Sequence, residues 1–114
     1  MAWKRKNKYN AKRVVVDGIT FDSMAEHKRF SELSLLQRAG LISCLSVHIK
    51  FPIKVKDLHV CSFISDFTYV DAKTGKPIIE DVKARPTYTP LSRLKHKLVR
   101  ACYPDAELRI VGLR

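Results

Sequence analysis

Residues 64–83 read ISDFTYVDAKTGKPIIEDVK. Two apolar, β-branched runs flank a turn-forming DAKTGK, and Gly75 can take the positive φ such a turn needs. The stretch reads as an antiparallel hairpin, yet ionisable residues interrupt both strands: Asp66 in the first, and Glu80, Asp81 and Lys83 in the second. Charges are depleted in strands because burying them is costly. Side chains alternate along a strand, so Asp81 and Lys83 share one face while Glu80 and Val82 share the other. A hairpin centred between Lys73 and Thr74 sets Asp66 directly across from Asp81. Partners at that register lie about 5 Å apart, and two carboxylates that close repel each other.

A divalent cation held between them would remove the repulsion, and Lys83 on the same face would reduce it. Oxygen ligands from two carboxylates suit Mg²⁺ or Mn²⁺ and leave positions for water and a phosphate. The metal would polarise the phosphoryl oxygen and activate its water, and a lysine ammonium would stabilise developing negative charge. Phosphodiester hydrolysis needs this set of groups. The bland alternative is a surface hairpin with a cross-strand Lys–Asp pair, worth a few tenths of a kcal/mol.

Outward from the hairpin, VVVDGITF at residues 14–21 predicts a smaller hairpin with an Asp-Gly turn. Ser23 and Glu26 match the S-x-x-E capping box and predict a helix through about Ala39, stopped at Gly40. Phe30, Leu33 and Leu36 form its inward stripe. At 100° per residue Glu26 lies at the N-terminal end of that stripe, so it either caps the helix or points a carboxylate into a site. Residues 41–58 predict a strand and an edge segment limited by Pro52. Residues 59–70 predict one long strand and 77–83 the next. Thr89 as N-cap and Pro90 at the first helical position predict a second helix ending near Cys102. Its inner stripe is expected to be Leu91, Leu94, Leu98 and Cys102. Arg93, His96, Lys97 and Arg100 would then lie on the opposite face, suited to phosphates. Lys95 falls beside the apolar stripe. A last strand follows in AELRIVGL. The order strands, helix, strands, helix, strand predicts a mixed α/β domain with helices packed on a sheet.

Composition agrees with a folded nucleic-acid binder. Hydrophobic residues make up 46% of 114 residues, enough for one core. There are 22 Lys and Arg against 11 Asp and Glu, a formal charge of +11 that favours a polyanionic partner. Residues 1–13 carry Lys4, Arg5, Lys6, Lys8, Lys12 and Arg13 with no acid, and interleave Trp3 and Tyr9. They read as a flexible basic arm for nucleic acid, ahead of a single domain over 14–114. No apolar run is long enough to span a membrane and no apolar signal region follows the basic start, so the expected compartment is the cytoplasm. Cys44, Cys61 and Cys102 form an odd, scattered set suited to free thiols. Grouping Cys44 and His48 with His59 and Cys61 fits no common zinc spacing.

In order and spacing, SDF at 65–67 followed by IIEDVK at 78–83 resembles the PD-(D/E)XK nuclease superfamily. FDSMAEHKRFSELSLLQRAG at 21–40 looks like the first helix of a small phage-encoded branch, and LKHKLVRACYP at 94–104 is similar to the helix after the motif. The resemblance covers roughly residues 10–110. It implies a restriction-endonuclease-like core: a mixed sheet flanked by helices. It also implies a Mg²⁺-dependent DNA endonuclease, with Mn²⁺ as a possible substitute. The implied site is Glu26, Asp66, Asp81 and Lys83, with the three carboxylates as metal ligands. The family includes recombination and junction-resolving nucleases, many of them homodimers. Ser65 stands where the motif has proline, and Glu80 would replace Asp81 if the strand were bulged. Two other classes share part of the pattern: a non-catalytic nucleic-acid-binding module, and a basic phage protein that binds a host protein. Neither requires Asp66, Asp81 and Lys83 together.

The arm yields a first prediction. Counterion release contributes about −0.9 per duplex phosphate neutralised to the slope of log K against log salt. With about half of the arm's charges in contact, deleting residues 1–13 flattens that slope by roughly 2 to 3. Turnover at saturating DNA is retained, because Glu26, Asp66, Asp81 and Lys83 lie outside the arm. An unchanged slope would make the arm a solvated tail.

Overall fold

A computed structural model describes residues 13–16 and 18–112. The predicted arm, apart from Arg13, lies outside the described residues. Strands β1 (Val14–Val16) and β2 (Ile19–Phe21) form the expected small hairpin. Helix α1 (Met24–Arg38) follows directly, with Ser23 as its N-cap and Gly40 beyond its end at φ +78°. Leu33 is fully buried on its inner face, with Phe30 and Leu36 packed around it.

Four strands make the central sheet in the order β3-β6-β7-β8: β3 (Ile42–Val47), β6 (Phe67–Asp71), β7 (Pro77–Val82) and β8 (Glu107–Val111). β6 runs antiparallel to both of its neighbours, β3 and β7, while β8 runs parallel to β7 after a crossover through α2 (Pro90–Cys102). The fold is mixed α/β, as the element order predicts. The β6–β7 register runs from Val70 opposite Pro77 to Phe67 opposite Glu80, as a hairpin centred between Lys73 and Thr74 requires, and it ends there. The Asp66 N–H bonds to the Glu80 carbonyl, one residue off that register, so the expected direct Asp66–Asp81 pairing is not formed as such. Gly75, at φ +71°, lies in the turn and leaves that register unshifted.

The long strand expected over 59–70 is instead two strands in two sheets. β5 (Leu58–Ile64) pairs with β4 (Lys50–Val55) in a separate two-stranded ribbon, and β6 begins only at Phe67. At the break the Ser65 N–H donates to the Ile49 carbonyl at 2.9 Å, and the Asp66 N–H to the Glu80 carbonyl at 3.1 Å. The chain thus changes hydrogen-bonding partner between consecutive residues with no donor left over. Pro52 sits in β4, opposite Ser62, within this two-stranded ribbon, where an edge position tolerates a missing N–H.

The sheet separates two cores. Phe21, Leu33, Ile42, Phe67, Tyr69 and Ile78 pack on the α1 side. Ile53, Phe63, Ile79, Val99 and Leu108 pack on the other, under α2 and the ribbon. Alternation along β7 therefore sends Ile78 and Glu80 toward α1, and Ile79 and Asp81 toward α2.

Helix α2 starts and ends where expected but presents a different face. Leu91 is 62% and Leu94 53% exposed, whereas His96 is 1% exposed and Val99 is buried with it. The inner face of α2 is thus turned by about a quarter turn from the Leu91-Leu94-Leu98-Cys102 stripe. Leu98 and Cys102 remain partly buried at its flank. His96 belongs to the interior and not to a phosphate-facing surface, because the buried Asp81 needs a hydrogen-bond donor at that place. Arg93, Lys97 and Arg100 are exposed as expected.

Glu80 is fully buried on the α1 side. It accepts from two guanidinium nitrogens of Arg29 and from the Tyr69 hydroxyl. This pairing holds the Arg29 guanidinium above even its ordinary high range and pushes the Tyr69 hydroxyl up to about 12, mainly through burial and then through Glu80. The arrangement welds α1 to β6 and β7. Glu80→Ala would leave Arg29 partly buried without its partner, so a loss of about 3–5 kcal/mol is predicted in urea unfolding. A loss under about 1 kcal/mol would show that the network contributes little.

Candidate active site

The site grows from the point where β6 begins and β7 ends. Asp66 precedes β6, and its Oδ2 accepts the Val82 backbone N–H at 2.6 Å. Asp81, 3% exposed, lies beside it, close enough that each carboxyl shifts the other's ionisation. Lys83 continues on the Asp81 face, with its Nζ 3.6 Å from Asp81 Oδ2. Glu26 arrives from the first turn of α1. Its backbone N–H donates to the Ser23 hydroxyl at 3.1 Å, and its Oε2 accepts the Asp22 N–H at 3.2 Å. Its other oxygen is directed at the site. The two readings of Glu26, cap and site carboxylate, therefore hold at once through different oxygens.

Structure brings Glu26, Asp66, Asp81 and Lys83 to one place and leaves Glu80 on the far side of the sheet. Strand alternation, which favours Asp81 over Glu80 as the partner of Lys83, holds in the fold. The remaining sequence candidates lie elsewhere: Arg93, Lys97 and Arg100 are exposed on α2. Arg93 stacks over the Tyr88 ring at 5.6 Å. Arg13 is exposed beside Asp22 at 3.8 Å, and Lys4, Arg5, Lys6, Lys8 and Lys12 lie outside the described residues. Lys95 is half-buried on α2.

Two histidines join the site that sequence patterning does not single out. His48 follows β3, and its Nε2 is 2.8 Å from Glu26 Oε1. Its φ of +52° is in the left-handed region, uncommon for a residue with a Cβ. Its N–H donates to the Asp66 carbonyl at 3.1 Å, so the unusual turn ties His48 to the segment that carries Asp66. Backbone conformations of this kind concentrate at functional sites. On the α2 side, His96 Nε2–H donates to Asp81 Oδ2 at 2.6 Å. The ring stacks on Tyr88 and meets Phe63 edge-on, which fixes its orientation. The local signal for His96 was its place in a basic stretch, and that points the other way. A positive φ at His48 leaves no mark in sequence.

Electrostatics follow from burial. Desolvation, the adjacent Asp81 and the nearby Glu26 push the Asp66 carboxyl up to about 9. Burial acts on Asp81 too, but the hydrogen bonds from His96 and Asp66 and the charge of Lys83 outweigh it and hold Asp81 below the usual carboxylate range. Desolvation also raises Glu26, against the opposing hydrogen bond with His48. Without a cation, Asp66 and Asp81 thus share one proton, carried by Asp66 and donated to Asp81.

Donor atoms of Glu26, His48 and Asp66 lie within 4.8 Å of one another, close enough to converge on one ion. Asp81, expected as a ligand, is not part of this group: it lies beside Asp66, with its Oδ2 taken by His96, while His48 stands in the group instead. Carboxylate oxygens fit Mg²⁺ and Mn²⁺, and an imidazole nitrogen shifts the fit toward Mn²⁺ or another transition ion. Two carboxyls this close, one of them buried and raising the other's pKa, suit a cation there.

The shared proton makes a prediction about stability. A folded value raised above that of an unfolded aspartate means that the folded chain binds more protons between the two. Stability of the metal-free protein therefore falls as pH rises from about 4 through about 9. The depressed Asp81 acts in the opposite sense, and its contribution is lost only as pH drops below about 4. Asp66→Asn copies the protonated form, since its amide can accept from Val82 and donate to Asp81. Its melting temperature in EDTA is predicted to gain on the parent steadily from about pH 5 to about pH 9. Parallel melting curves across that range would contradict the shared proton.

No curated protein and no solved structure matches the chain. Among the described residues no helix is long and apolar enough to cross a membrane. A family described as "Protein of unknown function (DUF1064)" matches residues 6–113, and the chain belongs to that family.

Proposed function

We propose that this protein is a metal-dependent endodeoxyribonuclease of the PD-(D/E)XK kind, hydrolysing phosphodiester bonds in DNA. One observation carries the reading: the buried Asp81 carboxylate and the half-buried Asp66 carboxylate lie side by side where β6 begins and β7 ends, with the Lys83 ammonium 3.6 Å from Asp81. A purely structural pair would be better served by an apolar residue or a single acid. The order carboxylate, turn, carboxylate, x, lysine matches that superfamily, with Glu26 supplied by the preceding helix. The formal charge of +11 supports a polyanionic substrate.

When bound, Mg²⁺ or Mn²⁺ would polarise the phosphoryl oxygen and lower the pKa of a coordinated water. Asp66, Asp81 and Glu26 are the residues to hold it. Lys83 is placed to stabilise the negative charge that develops on the phosphate in the transition state. His48, bonded to Glu26, is placed to orient that carboxylate and to take up a proton from an attacking water. His96 acts on Asp81 from behind: by occupying Oδ2 it fixes the rotation of the carboxylate.

Cleavage of plasmid and branched DNA in Mg²⁺ or Mn²⁺, and its absence in EDTA, is the expected result. Asp81→Asn removes cleavage and leaves DNA binding intact. Lys83→Met lowers turnover on the order of 10²–10³-fold with little change in affinity. Purified Asp81→Asn protein that still cuts at the parent rate would overturn the assignment.

A further inference from the structure

The β4–β5 ribbon grows out of the site. Its two roots are the segments that carry His48 and Asp66: β4 begins at Lys50 and β5 ends at Ile64, and these two residues pair. One face of the ribbon is anchored. Ile53 and Phe63 are buried under α2, the Tyr103 hydroxyl donates to the Pro52 carbonyl at 2.7 Å, and Phe51 meets the Tyr103 ring edge-on. The other face and the tip have no cover among the described residues. Lys50 and Lys54 are exposed on that face, and Lys56 at the turn, with Asp57 as the one acid between residues 48 and 65. Beyond the anchored part, Leu58 is 71% and Val60 53% exposed. A register shift after Ile53 and positive φ at Lys56 and Asp57 shape this end.

We propose that this ribbon is a second DNA-contacting element, one that follows the groove of the duplex flanking the scissile phosphate. It rests on the nuclease reading only for which phosphate lies at its root. Six residues of β4 at about 3.3 Å each reach about 20 Å from the site, enough to cross a groove. A two-stranded ribbon is also an element that the major groove admits. Lys50, Lys54 and Lys56 neutralise phosphates, and the exposed Leu58 and Val60 contact sugar and base edges, as apolar tips of DNA-bending proteins do. The charge of the uncovered face selects DNA over a neutral protein surface. The anchored face gives the ribbon a fixed direction, so binding does not have to order it first.

The test is fluorescence anisotropy of the full-length chain on a labelled duplex in EDTA, which reads binding with no cleavage. Lys50→Gln/Lys54→Gln/Lys56→Gln is expected to flatten the slope of log K against log salt by about 2 to 3 and to weaken low-salt binding of all sequences alike. Replacing the same three by Arg should restore it. Leu58→Ser/Val60→Ser is expected to weaken binding several-fold without changing the slope. All these side chains are exposed, and equal melting temperatures confirm an intact fold. A slope unchanged by the Gln variant would overturn the proposal. So would a Leu58→Ser/Val60→Ser protein that binds DNA as the parent does but changes from dimer to monomer in sedimentation, since the ribbon would then be a contact between copies. Binding here and cleavage by Asp81→Asn are read separately, so failure of either leaves the other standing.

Discussion

Two carboxyl groups, the buried Asp81 and the half-buried Asp66, are brought together where β6 begins and β7 ends. Beyond the last pair, Phe67 opposite Glu80, the Asp66 N–H holds to the Glu80 carbonyl and its side chain accepts from the Val82 N–H, which sets its carboxyl beside Asp81. Everything around the pair compensates for that proximity. Val82 and His96 donate hydrogen bonds, Lys83 brings a positive charge, and a proton remains on Asp66. The partners come from the end of β7 and from α2, so the pair draws β6, β7 and α2 to one end of the sheet, with α1 contributing Glu26. An unpaired buried charge is among the most destabilising features a core can contain. A pair kept in that condition is understandable where a cation takes the proton's place.

Neighbouring residues on β7 show how one strand divides its labour. Glu80 and Asp81 are adjacent acids, both buried, on opposite faces. Glu80 is saturated by Arg29 and Tyr69 and has no access to the site. Asp81 keeps an oxygen toward Asp66. Structural strength and chemical capacity are therefore separated by the pleat alone, and α1 serves both sides: Arg29 joins the structural network while Glu26 joins the site.

Much of this was legible in the chain because it is local. Ser23, Gly40, Thr89 and Pro90 mark helix ends by capping chemistry, and the turn around Gly75 sets the β6–β7 register as far as Phe67 opposite Glu80. Other features depend on contacts distant in sequence. The break at Ser65 and Asp66 is invisible to β-propensity, since both halves are strand; it arises because Ile49 and Glu80 offer competing backbone acceptors. The buried face of α2 departs from the leucine stripe for a similar reason. Leucines outnumber other apolar residues on one stripe, yet a buried aspartate on a neighbouring strand demands His96. His48 reaches Glu26 only through a left-handed backbone residue, which patterning cannot anticipate.

Calorimetry of Mn²⁺ binding in buffers of different ionisation enthalpy tests the central claim most directly, because it counts the protons displaced when the ion enters. With Asp66 raised to about 9, binding at neutral pH should release about one proton per ion, and Asp66→Asn should abolish that release. Ion binding with no proton released, or no saturable binding at the site, would contradict the view that a cation replaces the proton between Asp66 and Asp81.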